Sequence, residues 1–272
     1  MPRPRATSIR QLAVDLLRKN GSSIPPPDKA FWDEVSFNAA ADALPPEAER
    51  PAVVVVDEGQ DFEASDWMLV EQLAGPRGLW VFRDQRQAFW TDRALPATLD
   101  QTLPARLKLQ QRYRCPPGLA AFAECFASDQ TPSQRPPAED VRLVKAAPTD
   151  IADKVRHVID ELRRDGARAS DIAVVSLAGQ TRSKVFNLPV LGSHKLVHAD
   201  AADARDHVVV ETFLRFKGLE RPFIIVCEIS GAHVTHFGTR MYIGLTRATV
   251  QAIVVADDAS VVADSRLTTL TA

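Results

Sequence analysis

This sequence of 272 residues has no large excess of positive or negative charge. The chain carries 33 lysines and arginines against 35 aspartates and glutamates, which gives a formal net charge of −2. Proteins that attract nucleic acid through their overall field are strongly basic, and the net charge gives no such indication here. A local basic groove disappears in a net sum, so the balance does not exclude a nucleic-acid partner.

Paired cysteines and long hydrophobic runs are also lacking. The three cysteines, Cys115, Cys125 and Cys227, follow no paired spacing, which argues against a disulfide framework and predicts reduced thiols. No apolar run approaches the ~18 residues of a membrane span, and the first ten residues lack the apolar core of a signal peptide. We therefore predict a cytoplasmic protein with no membrane partner.

Short β-branched runs alternate with longer amphipathic runs along the chain. The predicted strands are Ala52–Val56, Leu79–Phe82, Arg106–Gln110, Val141–Lys145, Ile172–Leu177, His207–Glu211, Phe223–Ile229 and Gln251–Ala256. The predicted helices are Ser8–Lys19, Ser65–Leu73, Pro117–Phe126, Asp150–Arg164 and Gly238–Thr246. Several short runs are apolar on both faces, as strands buried in a parallel sheet are, so the alternation predicts an α/β fold. A boundary near residues 103–106 predicts two domains, 1–104 and 105–272.

An acidic pair directly follows the first predicted strand, in the stretch "VVVVDE". Ligands of open parallel sheets bind at the carboxyl ends of the strands, and Asp57 and Glu58 fall at such an end. One carboxylate there can hold Mg²⁺ while the next orients or deprotonates a water molecule, as in a Walker B motif. A buried strand that ends in a solvated acidic turn would give the same pattern, and this stretch alone does not decide between the two.

Four later stretches follow the acidic pair in a fixed order. They are "VFRDQRQAFW" at 81–90, "LQQRYRCP" at 109–116, "ETFLRFKGLERPFIIV" at 211–226 and "MYIGLTRAT" at 241–249. Together with "DEGQDF" they resemble motifs II to VI of the UvrD/Rep-type superfamily-1 DNA helicases, over about 8–255. The resemblance implies a RecA-like P-loop NTPase fold with two motor domains, ATP and Mg²⁺ as cofactors, and single-stranded DNA or RNA as partner.

The resemblance also implies catalytic roles for individual residues. Asp57 would hold Mg²⁺, Glu58 would activate the hydrolytic water, and Gln87 would sense the γ-phosphate. Arg114 and Arg247 would stabilise charge on the γ-phosphate, Arg247 as an arginine finger, because a guanidinium has a permanent charge and a fork that matches phosphate oxygens. The alternative for both arginines is a surface ion pair.

Further residues are implied to bind the nucleotide and the nucleic acid. Tyr113 resembles the family's adenine-stacking tyrosine, Glu220 its ribose-binding residue, and Lys217 of the same motif is assigned to the nucleotide. Three residues are implied to contact nucleic acid: Phe89 and Trp90 by stacking on bases, and Thr212 through its hydroxyl on the backbone. Stacking tolerates any base, which suits a motor, although aromatic side chains at such positions also serve as plain core.

Three departures separate the chain from the family pattern. None of the twelve glycines is followed by lysine, so the phosphate cradle Gly-x-x-x-x-Gly-Lys-Ser/Thr is missing. Arg83 replaces a glycine, and Leu214 replaces a histidine. We therefore expect a truncated first motor domain and a complete second one, little hydrolysis of ATP by the isolated chain, and a segment or partner chain that carries the P-loop.

Two other functions fit parts of the sequence. The chain could be a non-catalytic nucleic-acid-binding or regulatory module that retains the helicase fold, or a scaffold for protein contacts. A binding module has no need of a water-activating glutamate, which favours the motor. The stretch "HKLVH" places His194 and His198 near Asp200, but without a metal-binding signature we interpret it as a solvated loop.

Overall fold

A computed structural model describes residues 4–25, 31–109, 114–229 and 236–271, apart from the side chain of Trp32. The chain divides into two compact units, Met1–Lys108 and Leu109–Ala272, called unit 1 and unit 2 below. Within the described ranges, no helix is both long enough and apolar enough to cross a membrane.

Unit 1 places a layer of helices beside a short parallel sheet. Its helices are α1 (Ile9–Asn20), α2 (Phe31–Asp42), α3 (Ala64–Ala74) and α4 (Ala97–Thr102), and its strands are β1 (Val53–Val56) and β2 (Gly78–Val81). The sequence determines both ends of α1: the Ser8 hydroxyl accepts a hydrogen bond from the Gln11 amide, and Gly21 ends the helix in the left-handed conformation. Leu17, Ala39 and Leu69 from α1, α2 and α3 meet in one apolar core.

The sheet of unit 1 is covered on one face and bare on the other. Its inward side chains pack with Trp67 and Val70 of α3, and they are Val54, Val56, Leu79 and Val81. The opposite side chains are about half exposed or more; we call them the bare face, and they are Val53, Val55, Trp80 and Phe82. Parallel sheets are normally covered on both sides, so four large apolar side chains in solvent are an unusual feature of this unit.

Unit 2 is built on a seven-stranded sheet in the order β3-β9-β8-β4-β7-β6-β5. The strands are β3 (Val141–Lys145), β4 (Ile172–Ser176), β5 (Val190–Leu191), β6 (His194–Val197), β7 (Val208–Thr212), β8 (Arg221–Cys227) and β9 (Ala248–Ala256). The helices are α5 (Pro117–Ala127), α6 (Ile151–Arg164), α7 (Phe237–Leu245), α8 (Asp258–Ala263) and α9 (Ser265–Thr268). All pairings are parallel except β5 with β6, which confirms the predicted α/β class.

The two central strands of this sheet show why the sequence pattern worked. Every residue of β4 and β7 is buried, which matches the apolar runs at 172–175 and 208–210 with which these strands begin. The amphipathic helix α6 covers the sheet with Val155, Val158 and Ile159, three of its apolar side chains. This part of the core of unit 2 therefore forms between one helix face and the apolar side chains of the sheet.

Two local predictions were wrong. Arg106–Gln110 was predicted as a strand, but residues 106–109 form none, and Leu107 and Leu109 point almost fully into solvent; Gln110 lies outside the described residues. Alternating side chains make a strand only where a neighbouring strand supplies hydrogen bonds. The predicted loop at His194 is instead β6, where the His194 ring bonds to the Asp160 carboxylate at 2.7 Å.

Candidate functional site

The acidic pair lies at a sharp turn that directly follows β1. Glu58 adopts the left-handed backbone conformation with φ of 53°, and its amide donates to the Asp57 carboxylate at 2.9 Å. The Gly59 amide then bonds to the Phe82 carbonyl at 2.9 Å, which ties the turn to the end of β2. A Cβ at Gly59 would meet the side chains of Trp67 and Val81 at 3.1 Å, so a larger residue there would have to displace them slightly.

A chain of hydrogen bonds joins Glu58 to Gln87 through two residues that the sequence analysis gave no role. Gln60 is 2% exposed; its side-chain amide donates to the Glu58 carboxylate, and its carbonyl oxygen accepts from the Asp84 amide at 2.9 Å. The Asp84 carboxylate in turn accepts from the Gln87 side chain at 2.9 Å. Gln60 and Asp84 lie within the stretches "DEGQDF" and "VFRDQRQAFW". The only sequence signal for either residue was a polar side chain close to the end of a predicted strand.

The two candidate stacking residues lie next to each other in unit 1. The rings of Phe89 and Trp90 meet edge to face with centroids 5.0 Å apart, and Trp90 is 39% exposed. The Arg93 guanidinium lies 4.7 Å from the centre of the Trp90 ring. Arg93 is itself fixed by an ion pair with Glu63 and by a 3.1 Å hydrogen bond to the Asp61 carbonyl. Trp90 is therefore a supported surface ring rather than core, and Arg93 is a residue that the sequence analysis missed.

Two of the candidate nucleotide residues of unit 2 lie together. The Arg114 guanidinium is 3.4 Å from the Glu220 carboxylate, and the arginine side chain is 81% exposed. Ion pairs this exposed contribute little to stability, so both groups are open to a ligand. Tyr113 lies outside the described residues.

Arg247 extends from the end of α7 and is partly buried. Its guanidinium donates to the Ile243 carbonyl at 3.2 Å and to the Thr246 hydroxyl at 3.1 Å. A cation at the carboxyl end of a helix is favoured by the helix dipole. The residue predicted as an arginine finger therefore also makes a helix-capping contact.

Thr212 and Lys217 lie on and just after β7. Thr212 is buried, and its hydroxyl oxygen accepts a 3.4 Å hydrogen bond from the Arg215 amide. Lys217 follows in a tight turn, where its amide bonds to the Leu214 carbonyl at 3.3 Å. The Glu211 carboxylate beside them is fully buried and accepts from the Arg215 guanidinium at 2.8 Å, which raises the pKa of Arg215.

Acidic side chains in the described part of the chain do not form a complete metal site. Among those residues, no group of three or more His, Cys, Asp or Glu could hold a metal ion by itself. Mg²⁺ commonly binds to one or two carboxylates and takes its other ligands from phosphates and water. Asp57 is exposed at the end of β1, and with Glu58 it could supply that share of the ligands.

Comparison with known proteins gives similarity to solved structures alone, 84 chains in all. No protein-family model and no curated protein matches the chain. A solved structure described as the C-terminal domain of a possible DNA helicase from Lactobacillus plantarum WCFS1 is similar to it with a TM-score of 0.41 and 14% identity. The match covers 54% of this chain and 88% of the other. A similarity of this size does not identify a family.

Proposed function

We propose that this chain is part of an ATP-dependent motor of the UvrD/Rep-type helicase class, which translocates on or unwinds nucleic acid. The observation that carries the proposal is the hydrogen-bonded chain from Glu58 through Gln60 and Asp84 to Gln87. It brings together, from two separate motifs, the residues that the resemblance assigns to water activation and to γ-phosphate sensing.

In this proposal, each unit supplies one part of the motor. Unit 1, which ends at Lys108, carries the Walker B pair and the stacking residues of a first RecA-like domain, whose boundary we propose near residue 104. Unit 2 carries Arg114, Lys217, Glu220 and Arg247 in a second RecA-like domain. The parallel seven-stranded sheet of unit 2 supports that assignment.

ATP and Mg²⁺ are the proposed cofactors. Asp57 would bind the metal and Glu58 would accept the proton of the attacking water, while Arg114 and Arg247 would offset charge on the γ-phosphate. Mg²⁺ supplies neutralisation of phosphate charge when bound. The chain offers no Gly-Lys phosphate cradle, so the amides and lysine that hold the β- and γ-phosphates must come from elsewhere.

The proposed partner is a segment that carries a P-loop, either on a partner chain or elsewhere in the same protein. Such a segment would extend the two-stranded sheet of unit 1 and cover its bare face. The bare face supports this partner because parallel sheets are stable with both faces covered.

The competing function is a nucleic-acid-binding or regulatory module without hydrolysis. The exposed, arginine-supported Trp90 favours it as much as it favours the motor, because both need a base-stacking surface. Only the motor needs Glu58.

Hydrolysis by the complex isolated from its native cells distinguishes the two functions. We would purify the tagged chain with its partners and measure ATP turnover with single-stranded DNA, with RNA and with neither. In the motor, Glu58→Gln should lower turnover by about 10²–10⁴-fold, the usual contribution of a general base, without weakening nucleic-acid binding. Glu47→Gln, an exposed glutamate of the same unit, is the matched control. Turnover that is unchanged in Glu58→Gln would refute the proposed role of Glu58.

A further inference from the structure

We propose that Gln60 is a positioning residue that couples the side chains of Glu58 and Gln87, so that a change at one is felt at the other. The inference rests on the proposed function for the meaning of those two residues, but the coupling itself is a property of the folded chain. Neither the motif pattern nor the similarity to a solved structure assigns this role to Gln60.

The orientation of the Gln60 amide is determined by its surroundings. The Asp84 backbone amide can only donate, so the Gln60 carbonyl oxygen must face it, at 2.9 Å. The amide group of Gln60 must then face Glu58, whose carboxylate oxygen can only accept while ionised. The two contacts therefore agree on one orientation of the side chain.

Burial removes the competing partner of this side chain, which is water. Gln60 is 2% exposed and Gln87 is 8% exposed, so their amides have little access to solvent. If the buried Gln60 amide loses a hydrogen bond, no water is at hand to replace it, so the amide moves until it regains one. A shift of the Glu58 carboxylate therefore moves Gln60, and Gln60 acts next on Asp84.

Asp84 passes the displacement to Gln87. One carboxylate oxygen of Asp84 accepts from the Arg86 amide at 3.0 Å, and the other accepts from the Gln87 side chain at 2.9 Å. Asp84 begins the short 3-10 helix Gln85–Gln87, so a shift of its backbone also shifts the residue that carries the γ-phosphate contact in the proposal. Three consecutive hydrogen bonds therefore connect the side chain of Glu58 with that of Gln87.

NMR of the full chain tests the coupling directly, with no need for ATP. We would record the side-chain ¹H–¹⁵N resonances of Gln87 in the unmodified chain and in Glu58→Ala. The substitution should shift the Gln87 side-chain signals. The same substitution in a Gln60→Met background should leave them in place, because the connecting amide is gone. In a Gln85→Met background, which changes an exposed neighbour outside the hydrogen-bonded chain, the shift should persist.

A second variant keeps the test decisive if Gln60→Met does not fold. Asp84→Ala retains the backbone amide that bonds to Gln60 but removes the carboxylate that accepts from Gln87. The Glu58→Ala shift at Gln87 should be lost there too. A shift that persists in Gln60→Met or in Asp84→Ala, or that is absent from the start, overturns the proposal.

Hydrolysis by the native complex separates this proposal from the proposed function. If Glu58→Gln abolishes turnover while the NMR shift is absent, the motor stands and the role of Gln60 is refuted. If the NMR shift behaves as expected but Glu58→Gln leaves ATP turnover unchanged, the coupling stands and the assignment of Glu58 as the base is refuted.

Discussion

The Ser176 hydroxyl donates a 2.5 Å hydrogen bond to the Glu228 carboxylate, which joins the ends of β4 and β8. The same carboxylate accepts from the Ser183 hydroxyl and, at 2.6 Å, from the Lys184 amide. Glu228 does this from the left-handed backbone conformation, with φ of 57°. One glutamate in an unfavourable backbone conformation therefore anchors the loop that follows β4.

Replacing Glu228 tests whether its hydrogen bonds outweigh its backbone strain. Glycine would relieve about 1–2 kcal/mol of strain, but it would remove three hydrogen bonds to a charged group, each worth about 1.5–3 kcal/mol. We expect Glu228→Gly to lower the free energy of unfolding by about 2.5–8 kcal/mol in urea titrations.

Asp129 is the matched control for Glu228. It also has a positive φ, 53°, but its side chain is 95% exposed. Asp129→Gly should change the free energy of unfolding by about 1 kcal/mol or less, since only strain and an exposed ion pair are affected. Equal effects of the two substitutions would show that the Glu228 hydrogen bonds contribute nothing net.

Two exposed tryptophans of unit 1 should differ in nucleic-acid binding. Trp90 is supported by Arg93, whereas Trp80 belongs to the bare face. We expect Trp90→Ala to weaken binding of a single-stranded oligonucleotide by about 1–3 kcal/mol, the usual value of one stacked base. Trp80→Ala should leave that affinity unchanged in fluorescence-anisotropy titrations. Equal losses in both variants would mean that stacking at Trp90 is not the mode of binding.

The bare face should control association of the chain. Placing lysines at Val55 and Trp80, which are 62% and 56% exposed, disrupts the face without entering the core. We expect the double substitution Val55→Lys with Trp80→Lys to reduce concentration-dependent light scattering and to abolish capture of the P-loop partner. Val262→Lys, on an exposed valine of α8 in unit 2, is the control and should change neither. Unchanged scattering and capture in the double variant would exclude the bare face as an association surface.

Acid should remove the contribution of Asp171 to stability. Its carboxylate accepts from the Arg168 guanidinium at 2.9 and 3.1 Å and from the Arg168 amide, and the guanidinium bond is the main cause that lowers the pKa of Asp171. A lowered pKa stabilises the fold above the unfolded pKa of about 3.9, and this contribution is lost as the pH falls through the folded pKa.

Substitution of Asp171 measures that contribution. Asp171→Asn should cost about 1–2 kcal/mol of unfolding free energy at pH 7, and the difference from the unmodified chain should shrink below about pH 4. Asp165→Asn, at the exposed end of α6, should show no such trend. A difference that stays constant down to about pH 2 would contradict the predicted linkage.

The sheet of unit 2 could be predicted from the sequence because its central strands begin with apolar runs of three or four residues. The stretch that forms β6 could not, since "HKLV" takes its strand character from pairing with β7 rather than from its own side chains. The helix α2 was missed as well, because its hydrophobic residues show little one-sided pattern. The local sequence pattern thus predicted the elements whose own residues are apolar enough to be buried. It missed the elements that depend on their neighbours in the fold.

The candidate site divides in the same way. Asp57 and Glu58 could be named because an acidic pair that directly follows a predicted strand stands out in a sequence, and Gln87 could be named because its motif resembles the helicase pattern. Gln60 and Asp84 gain their meaning from hydrogen bonds between separate segments, and no spacing along the chain predicts those. Arg93 likewise depends on where Glu63 and the Trp90 ring lie in space.

The position of β9 determines when unit 2 can fold during synthesis. β9 lies between β3 and β8, so β3 meets its neighbour only after roughly 100 further residues have been made. At about 5–20 residues per second, that interval lasts roughly 5–20 s. The nascent chain must keep β3 unpaired for that time, whereas β1 and β2 of unit 1 can pair within a few seconds, at about the same rate. Unit 2 is therefore the unit that a ribosome-bound chaperone would need to protect.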